Sequence, residues 1–202
     1  MIKMVRSLTA LLIVLFLLSG CSWFRDEVDT TSGIETMIGK KVFNRVNLRT
    51  LEENIILSSN RYYGGIFIIA GTECLIKGIS KKKIIFYAGG REYALVNWLG
   101  DPGEGDVWLF FSKFFVEDRN KIGLESITPV FAESIRSGIA EINMTKEEIL
   151  MSLGYPAYLG RDPTYKFSRQ FILYQNDWYY LTDRKTRVLL KFKGEKLYRI
   201  IE

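Results

Sequence analysis

The sequence predicts an α+β protein. A small antiparallel β-barrel or rolled sheet, SH3-like in kind, precedes helices packed on a three- to four-stranded antiparallel sheet. Three observations predict this. Residues 41–96 carry short apolar runs separated by turn residues, the texture of strands. Residues 144–156 carry helix start and stop residues that agree with one another. Residues 171–201 return to apolar runs of strand length around polar turns.

The first strand-rich region spans residues 41–100. Its strands are predicted at Asn54–Ser58, Ile66–Ile69, Cys74–Lys77, Lys83–Tyr87 and Glu92–Val96. Ala88-Gly89-Gly90-Arg91 reads as a hairpin turn, because adjacent glycines accept the positive φ angles of tight hairpins. Short strands with close turns and no intervening helix favour a barrel or a roll.

Residues 101–131 read as a helical connector. Trp108, Phe111 and Phe115 recur on one helical face, and Asp106 is placed to cap the start. Thr128 and Pro129 suit an N-cap and a first helical position. Phe131 and Ile135 share a face, and Gly138 can end that helix in a left-handed conformation.

Residues 132–202 form the second α+β region. Thr145 and Glu148 make a capping box, and Met144 with Ile149 makes a hydrophobic staple. Gly154 stops the helix, Tyr155 can fold back on Leu150, and Pro156 prevents continuation. Phe171–Tyr174, Trp178–Leu181, Val188–Phe192 and Leu197–Ile201 read as strands. Trp178, Tyr180, Leu189 and Leu197 are assigned to one apolar face, covered by the helices.

The N-terminus carries a separate message. Lys3 and Arg6 precede an apolar run from Leu8 to Leu18, broken only by Thr9. Such a run followed by small residues is a cleavable export signal. It is shorter than the roughly 20 apolar residues of a membrane span. Leu18-Ser19-Gly20-Cys21 resembles the bacterial lipobox. The resemblance implies a diacylglycerol on the Cys21 thiol, cleavage before Cys21 and acylation of the new amine. Residues 1–20 are then the signal, and residues 21–40 a polar tether. At about 0.8 kcal/mol per buried methylene one chain holds marginally, whereas three anchor durably. Ser22, where an Asp would retain such proteins in the inner membrane, implies the periplasm-facing outer membrane.

Composition narrows the chemistry. The chain has no histidine, which removes Ser-His-Asp and Cys-His catalysis and histidine-ligated zinc. Gly100-Asp101-Pro102-Gly103-Glu104-Gly105 is glycine-rich, but acidic and without the ending of a phosphate loop. Neither a cofactor nor a metal is predicted. The chain has 28 Lys and Arg against 23 Asp and Glu, a balance too mild to predict nucleic-acid binding. Lys81-Lys82-Lys83 reads as a solvated turn, or else as a contact with anionic lipid. With Cys21 lipidated, Cys74 has no disulfide partner, and its strand context predicts a buried, inert thiol.

One longer resemblance follows from these residues. Met144-Thr145-Lys146-Glu147-Glu148-Ile149-Leu150 leads to Leu153-Gly154-Tyr155-Pro156, then to Trp178-Tyr179-Tyr180, then to Phe192-Lys193-Gly194-Glu195-Lys196-Leu197. In order and residue type this resembles the SmpA/OmlA lipoprotein domain, over residues 132–202. That family includes the small lipoprotein of the outer-membrane β-barrel assembly machinery. The implied fold is two helices on a three-stranded antiparallel sheet, akin to the repeats of β-lactamase inhibitory protein. Asn143 stands where the family usually has glycine, and the connection from Tyr158 to Gln170 is longer than in the assembly-machinery subunit. That subunit also lacks a preceding strand-rich region.

The expectation is a non-catalytic, membrane-anchored envelope lipoprotein. It would bind a protein partner in outer-membrane assembly or envelope maintenance. Tyr155, Tyr158, Trp178 and Tyr179 are the candidate partner surface, since aromatic residues concentrate binding energy at interfaces. The alternative is a module for cell-wall or envelope-lipid material, using Tyr62 and Tyr63 beside Gly64-Gly65.

Overall fold

Alternating burial along the strands between Lys41 and Val96 organises the first half of the chain. A computed structural model describes residues 33–58, 67–97, 106–181 and 187–202. Residues 1–20, expected to be an export signal, and Cys21, Tyr62, Tyr63 and residues 100–105 lie outside the described residues.

The first seven strands are β1 (Lys41–Asn44), β2 (Leu48–Glu52), β3 (Ile55–Leu57), β4 (Phe67–Ile68), β5 (Glu73–Ile79), β6 (Lys83–Ala88) and β7 (Arg91–Val96). In β5, Cys74 and Ile76 point inward between Glu73 and Lys77, which are exposed. In β6, Ile84, Phe86 and Ala88 do the same. With β8 (Phe115–Val116) they form a curled half-barrel of eight strands, ordered β4-β2-β3-β7-β6-β5-β1-β8. The five strands read from the sequence are all present, and β1, β2 and β8 add to them. Gly89 and Gly90, at φ 54° and 86°, make the expected hairpin between β6 and β7.

The sheet departs from an all-antiparallel arrangement at one pair. β3 runs parallel to β7, in register from Ile55↔Ala94 to Leu57↔Val96. Parallel pairing needs a crossover rather than a tight turn, and β4 to β6 supply it.

The stretch expected to be a tether up to residue 40 is in part packed. Ile34–Met37 forms a 3₁₀ turn whose Ile34 and Met37 are each only 2% exposed. Two apolar side chains gain more from burial than the turn costs in ordering.

Helix α1 (Val107–Phe114) starts as expected, with the Asp106 carboxylate accepting from the N–H groups of Trp108 and Leu109. Phe115 leaves the helix, however, and opens β8, paired with Asn44 of β1. The helix therefore returns the chain to the first sheet. Pro129–Phe131 is a 3₁₀ turn leading into α2 (Ala132–Ser137). Thr128 does not cap it through its side chain; its N–H instead donates to Glu148 Oε1 at 2.7 Å. Gly138 ends α2 at φ 66°, and a Cβ there would collide with Arg49 Nη2. That guanidinium donates to the carbonyls of Ser137 and Gly138, closing the helix end.

Helix α3 (Lys146–Leu153) carries the complete capping box. Thr145 Oγ1 accepts from Glu148 N at 3.2 Å, and Glu148 Oε2 accepts from Thr145 N at 2.8 Å. Both members of the staple, Met144 and Ile149, are fully buried. Gly154 has φ 75° and ψ −164°, a region open essentially to glycine alone.

The second sheet comprises β9 (Tyr158–Leu159), β10 (Asp162–Pro163), β11 (Asp177–Leu181), β12 (Arg187–Lys193) and β13 (Lys196–Ile201). Its order is β10-β9-β11-β12-β13, all antiparallel. The long connection after Tyr158 supplies β9 and β10, so the sheet has five strands rather than three or four. Phe171–Tyr174, expected as a strand, lies in α4 (Arg169–Tyr174). A short apolar run fits helix or strand equally. Here Ser168 Oγ caps the helix by accepting from Phe171 N, and Trp178 Nε1 donates to the carbonyls of Ile172 and Gln175.

The inner face of this sheet also differs by one register step. Trp178 opposes Leu190 and Tyr180 opposes Val188, and these four are buried with Phe192 and Leu197. Leu189, expected inside, opposes Tyr179 on the outer face. Strand side chains alternate, so one register puts Leu189 outside and the other puts Val188 and Leu190 outside.

Gly154→Ala tests the stop of α3. The substitution is expected to cost about 1–3 kcal/mol, because alanine must adopt a glycine-only conformation. An unchanged urea midpoint would show that this turn tolerates a side chain.

Candidate functional site

The four aromatic residues proposed from the sequence separate into two pairs. Tyr155 is 1% exposed; its hydroxyl donates to the Lys113 carbonyl at 2.7 Å, and its ring meets Phe114 edge-on at 5.1 Å. Trp178 is fully buried against Phe192. Both are therefore core residues and present no surface to a partner. Their apolar rings face the core, and their polar atoms are satisfied within it.

Tyr158 and Tyr179 remain half-buried, and they oppose one another across β9 and β11. The register extends this pair into a row. Pro163 opposes Tyr158, Leu189 opposes Tyr179, and Ile201 opposes Leu189. An apolar row thus crosses the outer face of all five strands. The Arg187 guanidinium lies 4.8 Å from the Tyr158 ring centre, a cation–π contact at its border. Asp177, Lys191 and Arg199 form the polar row beside it.

Among the described residues, the remaining sequence candidates are inert or structural. Cys74 is fully buried, and burial pushes its thiol up to about 12, far from a reactive thiolate. Lys81 and Lys82 occupy the turn between β5 and β6, closed by Ser80 N donating to Lys83 O at 2.9 Å. Among the described residues no cluster of His, Cys, Asp and Glu could hold a metal ion.

A cavity of about 500 Å³ opens where α3, α4 and the segment 120–127 meet. Arg45 enters it from the turn after β1, whose backbone is fixed by Arg45 N donating to Phe114 O at 2.8 Å. Arg169, the first residue of α4, enters from the other side. One Arg169 nitrogen, Nη2, pairs with Glu147 Oε2. Glu148 also lines the cavity, but its carboxylate accepts from Thr128 N, Thr145 N and Thr145 Oγ1. Burial raises its pKa, and these hydrogen bonds outweigh burial and hold it below the usual range. Burial, with Arg169 adding to it, lowers the pKa of the Arg45 guanidinium. The sequence did not disclose this pair, since Arg45 and Arg169 sit far apart in the chain. The nearest local hint is a polar Asn44-Arg45-Val46-Asn47 stretch within an apolar region.

Beneath this region lies Lys113, 4% exposed, whose ammonium donates to the carbonyls of Thr164 and Tyr165 at 3.1 and 3.3 Å. Burial brings its pKa down to about 8 from 10.5. Between these values the unfolded chain holds a proton that the folded chain has released, so stability contributed here rises with pH. Relative to Lys113→Met, the native protein should gain up to about 3 kcal/mol between pH 8 and pH 10.5. Urea midpoints of both proteins across that window would check this, and a constant difference would contradict it.

The chain matches no protein-family model, no curated protein and no solved structure.

Proposed function

We propose that this chain is a non-catalytic, membrane-anchored envelope lipoprotein that binds a protein partner in outer-membrane assembly or envelope maintenance. The observation that carries the reading is the N-terminal series of Lys3, Arg6, the apolar run and Leu18-Ser19-Gly20-Cys21. Charge, apolar core and lipobox occur in register, and their joint meaning is export followed by lipidation of Cys21. The resemblance of residues 132–202 to the SmpA/OmlA domain supports an envelope role. So does the outer apolar row on the second sheet, a surface suited to a protein partner.

On this reading Tyr158, Tyr179 and Leu189 form the centre of the partner surface, with Ile201 and Pro163 at its ends. A half-buried aromatic pair beside a charged row matches the anatomy of interfaces, in which a few aromatic residues supply most of the energy. Ser22, in place of an Asp after Cys21, supports a position on the periplasmic face of the outer membrane.

Two experiments test the proposal. Cys21→Ala should abolish incorporation of labelled palmitate and release the chain from membranes; continued labelling would contradict lipidation at Cys21. Capture of the native protein from solubilised envelopes should recover subunits of an assembly or maintenance complex. Leu189→Glu, on the outer face, should lose them without lowering the melting temperature. Retention on purified cell-wall sacculi with no co-purifying protein would favour the cell-wall module instead.

A further inference from the structure

We propose that the cavity between Arg45 and Arg169 is a binding site for a small amphipathic anion: an oxyanion head group on a short apolar body. The inference is independent of the partner surface and of the membrane anchor.

Unpartnered donors carry it. Arg45 Nε, Arg169 Nε and Arg169 Nη1 are shielded from solvent, and none has a hydrogen-bond partner. Buried polar groups are paired in roughly 90% of cases or more. Leaving one unpaired costs about 1–3 kcal/mol, and more when the group is charged. Both residues line one cavity, and an anion bound there would turn these N–H groups toward it. A guanidinium offers N–H groups in a planar fork that matches two oxygens of a carboxylate or a phosphate.

The protein's own carboxylates do not meet this demand. Glu147 engages only Nη2 of Arg169. The Glu148 oxygens are taken by the cap of α3 and by Thr128 N. With Lys121 also on the wall, the lining holds three cations against two carboxylates, an excess of one positive charge. That excess suits a monoanionic head group.

The rest of the wall defines the body. Ile122, Ile127, Met151 and Leu173 line the same cavity. Water alone would leave this apolar wall wetted. The volume, about 500 Å³, lies in the range of small-molecule sites. An anion with an apolar body fills both halves of the cavity.

The test uses the full chain in detergent micelles and three soluble probes. Hexanoate carries a carboxylate head, butyl phosphate a phosphate head, and hexanamide is the neutral control. One or both anions should bind, read by calorimetry and by a raised melting temperature, and the arm that responds identifies the head group. Hexanamide should bind at least about tenfold more weakly, as expected when hydrogen bonds to charged groups are lost. Arg45→Met and Arg169→Met should each weaken the anion by a similar factor. Where either is misfolded by circular dichroism, Arg169→Lys, which keeps the charge and loses the fork, should still weaken it. Glu147→Gln should tighten the anion several-fold, because it frees Arg169 Nη2 and removes a negative charge. Equal binding of hexanamide, no binding of either anion, or weaker anion binding in Glu147→Gln would each overturn the proposal.

Discussion

Asn47 sits where the first sheet meets its covering helices, and it binds three separate segments through one side chain. Its Nδ2 donates to the carbonyls of Ile135 in α2 and Ser152 in α3, at 2.6 and 3.0 Å. Its Oδ1 accepts from Ala70 N at 2.8 Å, and its own N–H donates to Met151 O at 2.8 Å. At 3% exposure none of these groups could turn to water instead. Each bond contributes only about 0.5–1.5 kcal/mol net, but an unmade one would leave a buried polar atom at greater cost. The asymmetry fixes where α2 and α3 lie relative to β1 and β2. Asn44, three residues earlier, binds the carbonyls of Val46, Ile68 and Ile69 in the same way. Arg45 lies between the two, so its backbone is held at the edge of the cavity.

The legible and illegible parts of this fold divide by distance along the chain. Thr145 with Glu148, Asp106 with Trp108, and Gly89-Gly90 act within a few residues, and the sequence disclosed each. The return of Phe115 to β1 and the parallel pairing of β3 with β7 join segments distant in sequence. No local pattern encodes them. Phe171–Tyr174 failed for another reason: four large apolar residues satisfy a strand or a helix turn, and only the packing of Trp178 on α4 decides. Leu189 failed because three adjacent apolar residues make the facing ambiguous until the partner strand sets the register. The candidate surfaces inherited these limits. Tyr155 and Trp178 are aromatic for packing, and the outer row emerged only with the register. Arg45 and Arg169 became a pair only in three dimensions.

The outer row and the cavity draw on different residues but share a support. β11 carries Tyr179 on its outer face and Trp178 on its inner face. Trp178 holds the C-terminal end of α4, and the first residue of α4 is Arg169. A short helix fixed at one end by an indole N–H therefore connects the sheet to the cavity wall. Lys113 and Tyr155 form a second joint close by, linking α1 to the turn at Thr164 and Tyr165. Both joints are made of buried side chains bonded to backbone carbonyls, which gives them one geometry rather than several.

The packing of Ile34 and Met37 has a consequence for height. Ile34 is already part of the core, so on the proposed reading only about 13 residues separate it from a lipidated Cys21. At about 3.5 Å per residue, the fully drawn chain reaches roughly 45 Å. An anchored molecule would therefore stand no farther than that from the bilayer. Whatever meets it would have to come to the membrane surface as well.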